Sequence, residues 1–113
     1  MHEYSIVQAL LNQCEENAKA HNAKRVLKVV TKIGVLSGVE PHLLEMAFET
    51  FKEGTLCSEA TFEMNIQNIK LHCQKCRDDF EIDELKMVCP KCGTLETTIV
   101  DGEEMYLMSL EME

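Results

Sequence analysis

The feature that most constrains the fold is a set of four cysteines arranged as two CxxC pairs. Cys73 and Cys76 form the first pair, Cys89 and Cys92 form the second, and twelve residues lie between the pairs. Two residues between cysteines let both sulfurs of a tight turn reach one ion, and two such turns provide four corners of a tetrahedron. The spacing therefore predicts a four-cysteine metal site whose two turns are joined by a small hairpin.

Zinc is the metal that this pattern favours, because four thiolates close a tetrahedral Zn(II) shell and leave no position for water. Such a site is structural rather than hydrolytic. Two alternatives stay open from the residues alone. One is iron in a rubredoxin-like site, which the run at residues 89–93 would suit, and the other is a redox-active thiol pair. Colour separates iron from zinc, since ferric tetrathiolate iron absorbs visible light.

Length, charge and apolar patterning exclude several functional classes. The chain has 113 residues, of which 45% are hydrophobic, so we expect one compact domain or a small domain with an appendage. Eleven basic residues against 20 acidic ones give a net charge of −9, which disfavours nucleic acid as a partner. Apolar stretches are far shorter than the roughly 18 residues of a membrane span. The amino terminus lacks the features of a signal peptide, so a cytoplasmic protein with reduced thiols is expected.

Hydrophobic periodicity predicts an α+β fold with a small mixed sheet, two helices and an inserted zinc-ribbon-like module. The predicted elements are a helix over 4–20, a buried strand over 25–35 with apolar residues on both faces, a helix over 41–54, a half-exposed strand around 62–66 and a C-terminal strand whose apolar stripe is Tyr106, Met108, Leu110 and Met112. The cysteine pairs lie between the last two strands. We therefore predict one domain over residues 1–70 and 101–113 and a zinc-binding domain over 71–100.

Two cysteines fall outside the CxxC pairs. The first helix has an apolar stripe made of Val7, Leu10, Leu11, Cys14 and Ala18. A buried structural thiol is therefore predicted at Cys14. Cys57 follows Gly54 in a predicted loop, and the pattern gives it no role.

The amino terminus, Met1-His2-Glu3, is a second candidate metal site. His2 is bulky, so Met1 is expected to be retained. The α-amine, the His2 backbone nitrogen and the His2 imidazole can then form fused chelate rings, and Glu3 can supply a fourth ligand. Nitrogen-rich planar sites suit Ni(II) or Cu(II). The alternative is that His2 is an ordinary solvated residue of a chain terminus.

Together these features resemble the HypA family of hydrogenase maturation nickel-insertion proteins. The resemblance rests on the terminal Met1-His2-Glu3 before a helix, the central run at residues 47–51 and the two CxxC pairs before a short C-terminal strand. It covers essentially the whole chain. It implies a mixed α/β nickel domain that carries a zinc-ribbon-like domain.

The resemblance implies a nickel metallochaperone rather than an enzyme, and the residues show no nucleophile–base arrangement. It implies a HypB-type GTPase as partner and the large subunit of [NiFe]-hydrogenase as recipient, and in some bacteria such proteins also serve urease. We expect a monomer or a weak homodimer. The implied ligands are Met1, His2, Glu3 and Glu40 for transient Ni(II) and Cys73, Cys76, Cys89 and Cys92 for Zn(II).

Some members of the family carry histidines just after the CxxC pairs, but here those positions hold Arg77, Asp78, Gly93 and Thr94. A plain four-cysteine site is therefore expected. The competing functional hypothesis is a zinc-ribbon adaptor for protein–protein contacts with no nickel function, and variants at His2 distinguish the two.

Overall fold

The computed structural model describes residues 3–113, which form two helices and two three-stranded sheets. In chain order the elements are α1 (Glu3–Ala20), β1 (Val26–Gly34), α2 (Pro41–Phe51), β2 (Thr61–Gln67), β3 (Ile69–Cys73), β4 (Asp78–Ile82), β5 (Thr97–Asp101) and β6 (Met105–Met112). The first sheet has the strand order β2-β1-β6 and the second has the order β4-β3-β5. The predicted α+β class, with a small mixed sheet, two helices and a separate cysteine-bearing module, is confirmed.

The first sheet contains both parallel and antiparallel strand pairs, because the helix α2 connects β1 to β2. β1 pairs in parallel with β2, and the crossover through α2 makes this direction possible. β6 returns from the second sheet and pairs antiparallel with the other side of β1. None of the helices within residues 3–113 is both long and apolar enough to cross a lipid bilayer.

The main core lies between the two helices and one face of the first sheet. Phe48 of α2 stacks on Phe62 of β2 with ring centroids 4.4 Å apart. The buried Thr31 is satisfied because its hydroxyl donates to the Glu63 carbonyl at 3.0 Å. The predicted stripe of α1 is confirmed, since all five of its residues are buried: Val7, Leu10, Leu11, Cys14 and Ala18.

Helix α2 begins where the sequence predicts it and ends earlier. Glu40 is its N-cap, and Pro41 occupies the first turn, where a missing N–H costs nothing. The helix ends at Phe51, and residues 52–60 form turns that lead to β2. Phe51 is 37% exposed, so the buried stripe of α2 consists of Leu44, Ala47 and Phe48.

Irregularities in strand pairing make two of the sequence-based predictions wrong. In β1 the register shifts between Val26 and Lys28, so Leu27 points outward and is exposed instead of buried. In β6 the register shifts beside Met108. The alternation of inward and outward side chains therefore reverses at that point. The residues of β6 that face the core are Met105, Leu107, Leu110 and Met112. The predicted stripe, which included Tyr106 and Met108, is wrong in its first half.

The two sheets meet where three backbone segments cross at van der Waals distance. A Cβ on Gly34, at the end of β1, would lie 2.3 Å from the carbonyl carbon of Gly102. A Cβ on Gly102, between β5 and β6, would lie 2.9 Å from the Asn68 oxygen between β2 and β3. An ion pair spans the same junction, with Lys32 Nζ 2.7 Å from Asp101 Oδ2. Small residues at this crossing therefore allow the sheets to be joined closely.

Candidate metal sites

The second sheet brings the four cysteines of the CxxC pairs together. Cys73 is the last residue of β3, and Cys76 lies in the turn that leads to β4. Cys89 and Cys92 lie in the loop between β4 and β5. Because β4 and β5 flank β3 on opposite sides, both turns converge at the same end of the sheet. The four sulfurs all lie within 4.8 Å of one another.

The distances between the sulfurs fit a tetrahedral ion. Cys73 Sγ lies 3.6 Å from Cys92 Sγ, and Cys76 Sγ lies 3.9 Å from Cys89 Sγ. A tetrahedron with zinc–sulfur bonds of about 2.3 Å has edges of about 3.8 Å. Each close contact joins sulfurs from different turns, so one ion at the centre would bind both turns together. The residues present therefore fit a closed tetrathiolate metal centre.

The two turns have the same backbone geometry. The Cys76 N–H donates to Cys73 Sγ at 3.3 Å, and the Cys92 N–H donates to Cys89 Sγ at 3.4 Å. The residue after each second cysteine has a positive φ, 55° at Arg77 and 74° at Gly93. These N–H donors stabilise negative charge on the sulfurs, which a thiolate ligand requires.

The positive φ at the two turns leads to a matched pair of predictions. Gly93→Ala is expected to lower the free energy of unfolding of the zinc-bound protein by about 1 kcal/mol, because an L-residue is strained in this region. Apart from the glycine and its two chain neighbours, no residue lies within 4 Å of the added Cβ, so the backbone alone causes the cost. Arg77→Gly, at the equivalent position, removes the same strain and is expected to cause no loss. Denaturant unfolding measures both, and equal losses would contradict the explanation.

Without a bound metal, hydrogen bonding and burial give the thiols of Cys76 and Cys89 very different pKa values. Hydrogen bonding with Cys92, followed by burial, raises the pKa of Cys76 to about 12. Burial also acts to raise the pKa of Cys89, but donation from the backbone N–H groups of Cys92 and Lys91 outweighs it and lowers the pKa to about 6. At neutral pH the cluster therefore holds a thiolate at Cys89 and a proton at Cys76.

This proton makes metal affinity depend on pH. An ion must displace the Cys76 proton, whereas Cys89 is already ionised above its pKa of about 6. The apparent zinc affinity is therefore expected to rise at least tenfold per pH unit between about pH 7 and 8, because every proton that the four thiols still hold must be released. Competition with a chromophoric chelator of known pH dependence measures the affinity. An affinity that does not change with pH would contradict this protonation state.

The structure places only part of the predicted nickel site. Met1 and His2 lie outside the described residues. Glu3 is the first residue of α1 and is half-buried beside Leu43 and Met46 of α2, with which it lines a shallow groove. Glu40 is exposed, and its Oε1 accepts a hydrogen bond from the His42 N–H at 3.3 Å. Its carboxylate thus caps α2, a role that is not predictable from the residue pattern around it.

The structure also reveals a pair of cysteines that the sequence did not connect. Cys57, for which no role was predicted, is fully buried in the main core together with Cys14. The segment that carries Cys57 is irregular and follows Gly54. No periodic pattern could therefore have shown that it packs against α1.

Comparisons with known proteins give one consistent result. A family model described as "Hydrogenase/urease nickel incorporation, metallochaperone, hypA" matches residues 1–112. Hydrogenase maturation factor HypA of Aquifex aeolicus is 57% identical over 113 residues, which is 100% of this chain and 98% of that protein. The corresponding factor of Shewanella oneidensis is 52% identical over 113 residues, 100% of this chain and 96% of its own.

Solved structures agree with the sequence comparisons. The solution structure of the Ni metallochaperone HypA from Helicobacter pylori is 40% identical, covers 99% of this chain and 97% of its own, and has a TM-score of 0.71. A second solution structure, of a HypA protein, is 39% identical, covers 100% of this chain and 97% of its own, and has a TM-score of 0.77. Chain length, sequence and fold are therefore similar from end to end.

Proposed function

This chain belongs to the HypA family of nickel metallochaperones of hydrogenase maturation, and we propose that it binds Ni(II) at its amino terminus and passes the ion to the large subunit of [NiFe]-hydrogenase. The match over residues 1–112 carries the proposal, because it includes both the terminus and the cysteine pairs. Family membership disfavours the alternative of a zinc-ribbon adaptor. We assign no catalytic step to the chain itself.

The proposed nickel ligands are the α-amine of Met1, the backbone nitrogen and imidazole of His2, and Glu3, with Glu40 as a further acidic ligand. Fused chelate rings at a chain terminus suit the planar geometry that Ni(II) favours. The position of Glu3 supports the proposal, since Glu3 belongs to α1 and is half-buried beside Leu43 and Met46 of α2, so this proposed ligand lies against the body of the protein. Such a site is open enough to release its ion to a partner.

The nickel site is tested with tag-free protein. His2→Ala, and separately one glycine added before Met1, are each expected to weaken Ni(II) binding at least a hundredfold, or about 2.7 kcal/mol, because each removes one chelate donor. Isothermal titration measures nickel, and elemental analysis measures zinc in the same samples. His21→Ala, at an exposed histidine, is the matched control and should bind nickel normally. Unchanged affinity in the glycine-extended chain would show that the α-amine is not a ligand.

The role of Glu40 can be separated from its capping role. Glu40→Gln keeps an oxygen that can accept the His42 N–H bond but removes the charge that Ni(II) would need. We expect weaker nickel binding with little change in thermal stability. Glu40→Ala should both weaken nickel binding and lower thermal stability. If Glu40→Gln binds nickel as well as wild type, Glu40 is only a helix cap.

We propose that the four cysteines hold zinc and that this zinc is structural. The sulfur distances of 3.6 and 3.9 Å support a tetrahedral ion, and four thiolates leave no open coordination position. We also propose two domains, over residues 1–70 with 101–113 and over 71–100, and the separate hydrogen-bonded sheets support this division.

The proposed partners follow from the maturation role. We propose a HypB-type GTPase as co-worker and urease maturation proteins as additional recipients, as the description of the family model suggests. Cytoplasmic location remains a prediction, consistent with that role.

A further inference from the structure

Cys14 and Cys57 form a second cysteine cluster, remote in sequence from the metal centre. Cys14 lies on α1, and Cys57 lies in the segment 52–60 between α2 and β2. Both side chains are fully buried and belong to the same core. Neither is needed for the nickel or zinc sites, and the two thiols remain free.

The contacts of neighbouring residues bring the segment that carries Cys57 onto α1 beside Cys14. Leu56, next to Cys57, donates its N–H to the Glu15 carboxylate at 3.2 Å, and Glu15 follows Cys14 on α1. The Cys57 backbone is itself held, since its N–H donates to Thr55 Oγ1 at 3.1 Å. Its carbonyl also accepts from the Ala60 N–H at 2.9 Å. The segment is thus fixed on α1 at the position where both thiols enter the core.

We propose that Cys14 and Cys57 are a redox-active dithiol, which a low-molecular-weight disulfide oxidises to an intramolecular disulfide that ties α1 to the segment 52–60. Two buried thiols that share one core, on elements that the neighbouring hydrogen bond joins, are the starting arrangement for such a bond. This inference does not depend on the proposed nickel function.

The surroundings of the two thiols determine which of them reacts first. Interaction with Cys57, followed by burial, raises the pKa of Cys14. The pKa of Cys57 is lowered, chiefly because the Cys14 thiol donates a hydrogen bond to it. Cys57 is therefore the better nucleophile, and it also lies on the irregular segment, which can separate from α1 more easily than a helix residue can leave its helix.

The reaction balances as two exchange steps. The Cys57 thiolate attacks one sulfur of the small disulfide, forms a mixed disulfide and releases one small thiolate. Cys14 then loses its proton and attacks the Cys57 sulfur, which releases the second small thiolate. The two protein thiols are oxidised, the small disulfide is reduced to two thiols, and these take up both protons. Because both cysteines are buried, the first step requires a local opening of the segment.

The test uses the full, zinc-loaded chain with oxidised glutathione under native conditions. After acid quenching, the remaining thiols are alkylated without reduction, and trypsin then releases residues 1–19 and 53–70, which hold Cys14 and Cys57. We expect these two peptides to be recovered joined by a disulfide, while zinc content stays unchanged. Cys14→Ala should instead accumulate glutathione on Cys57, because the second exchange step is missing.

Stability gives an independent measurement. The linked protein is expected to melt roughly 5–10 °C higher than the reduced protein, because the bond closes a long loop in the unfolded chain. Reduction with a thiol should reverse the shift. The proposal is overturned if the linked peptides form only after unfolding, if Cys57 pairs with a cysteine of the metal centre, or if neither thiol reacts.

Discussion

Cys73→Ser is expected to abolish stoichiometric zinc binding and to unfold the β4-β3-β5 sheet, while the first sheet and both helices stay folded. Within residues 3–113, the buried hydrophobic residues outside the main core are Ile69, Leu71, Cys73 and Cys89. Half of this small second core therefore consists of proposed metal ligands. So few buried side chains cannot offset the entropy of ordering three strands.

In the proposed zinc-bound state, the metal supplies the missing free energy. Structural zinc sites in small modules contribute roughly 10–16 kcal/mol, and without metal such modules are unfolded. Loss of one thiolate leaves three ligands and opens the coordination shell, so both turns lose the ion that joins them. The main core contains no metal ligand and has its own helices, which explains why the first sheet should survive.

Elemental analysis and a two-dimensional NMR spectrum of the same sample measure the two effects. Gln74→Ser, at an exposed residue of the same turn, is the matched control and should retain zinc and all signals. Zinc bound to Cys73→Ser at wild-type affinity would refute the ligand set. Collapse of both sheets would show that they fold as one cooperative unit.

Local patterns in the sequence predicted those features that depend on residues close together in the chain. The CxxC spacing predicted that the four cysteines converge, because each turn is decided by two intervening residues. The spacing along α1 predicted all five of its buried residues, because a helix repeats regularly over its whole length. Pro41 marked the start of α2 for the same local reason.

Features that depend on distant segments were not predictable in this way. The register shifts at Leu27 and Met108 reverse which residues face the core, and a period of two cannot show where a strand turns over. The burial of Cys14 and Cys57 in one core and the capping role of Glu40 appear only after α1, α2 and the segment 52–60 have packed. The close crossing at Gly34 belongs to the same class, since its partner Gly102 is remote in sequence.

Gly34→Ala tests whether this crossing is essential for joining the two sheets. The added methyl group would lie 2.3 Å from both the carbon and the oxygen of the Gly102 carbonyl, and 2.9 Å from the Glu103 nitrogen. These are backbone atoms, so no side-chain rotation can relieve the overlap. Relief requires the β5–β6 connection to move. That movement would break the bonds from the Gly34 N–H to the Glu104 carbonyl at 3.0 Å and from the Leu36 N–H to the Gly102 carbonyl at 2.8 Å.

We therefore expect Gly34→Ala to lower the free energy of unfolding by about 3 kcal/mol, the upper end for overpacking, because the crossing cannot yield without loss of hydrogen bonds. Gly38→Ala is the matched control. Gly38 has a φ of 78° but no atom within 4 Å of an added Cβ, so only backbone strain of about 1 kcal/mol is expected there. Denaturant unfolding at constant zinc saturation compares the two variants. Because the cysteines lie at the far end of β3 from Asn68, Gly34→Ala should keep its zinc. Equal losses at both glycines would mean that the junction is loose enough to accept a methyl group, and the two sheets would then not be rigidly coupled.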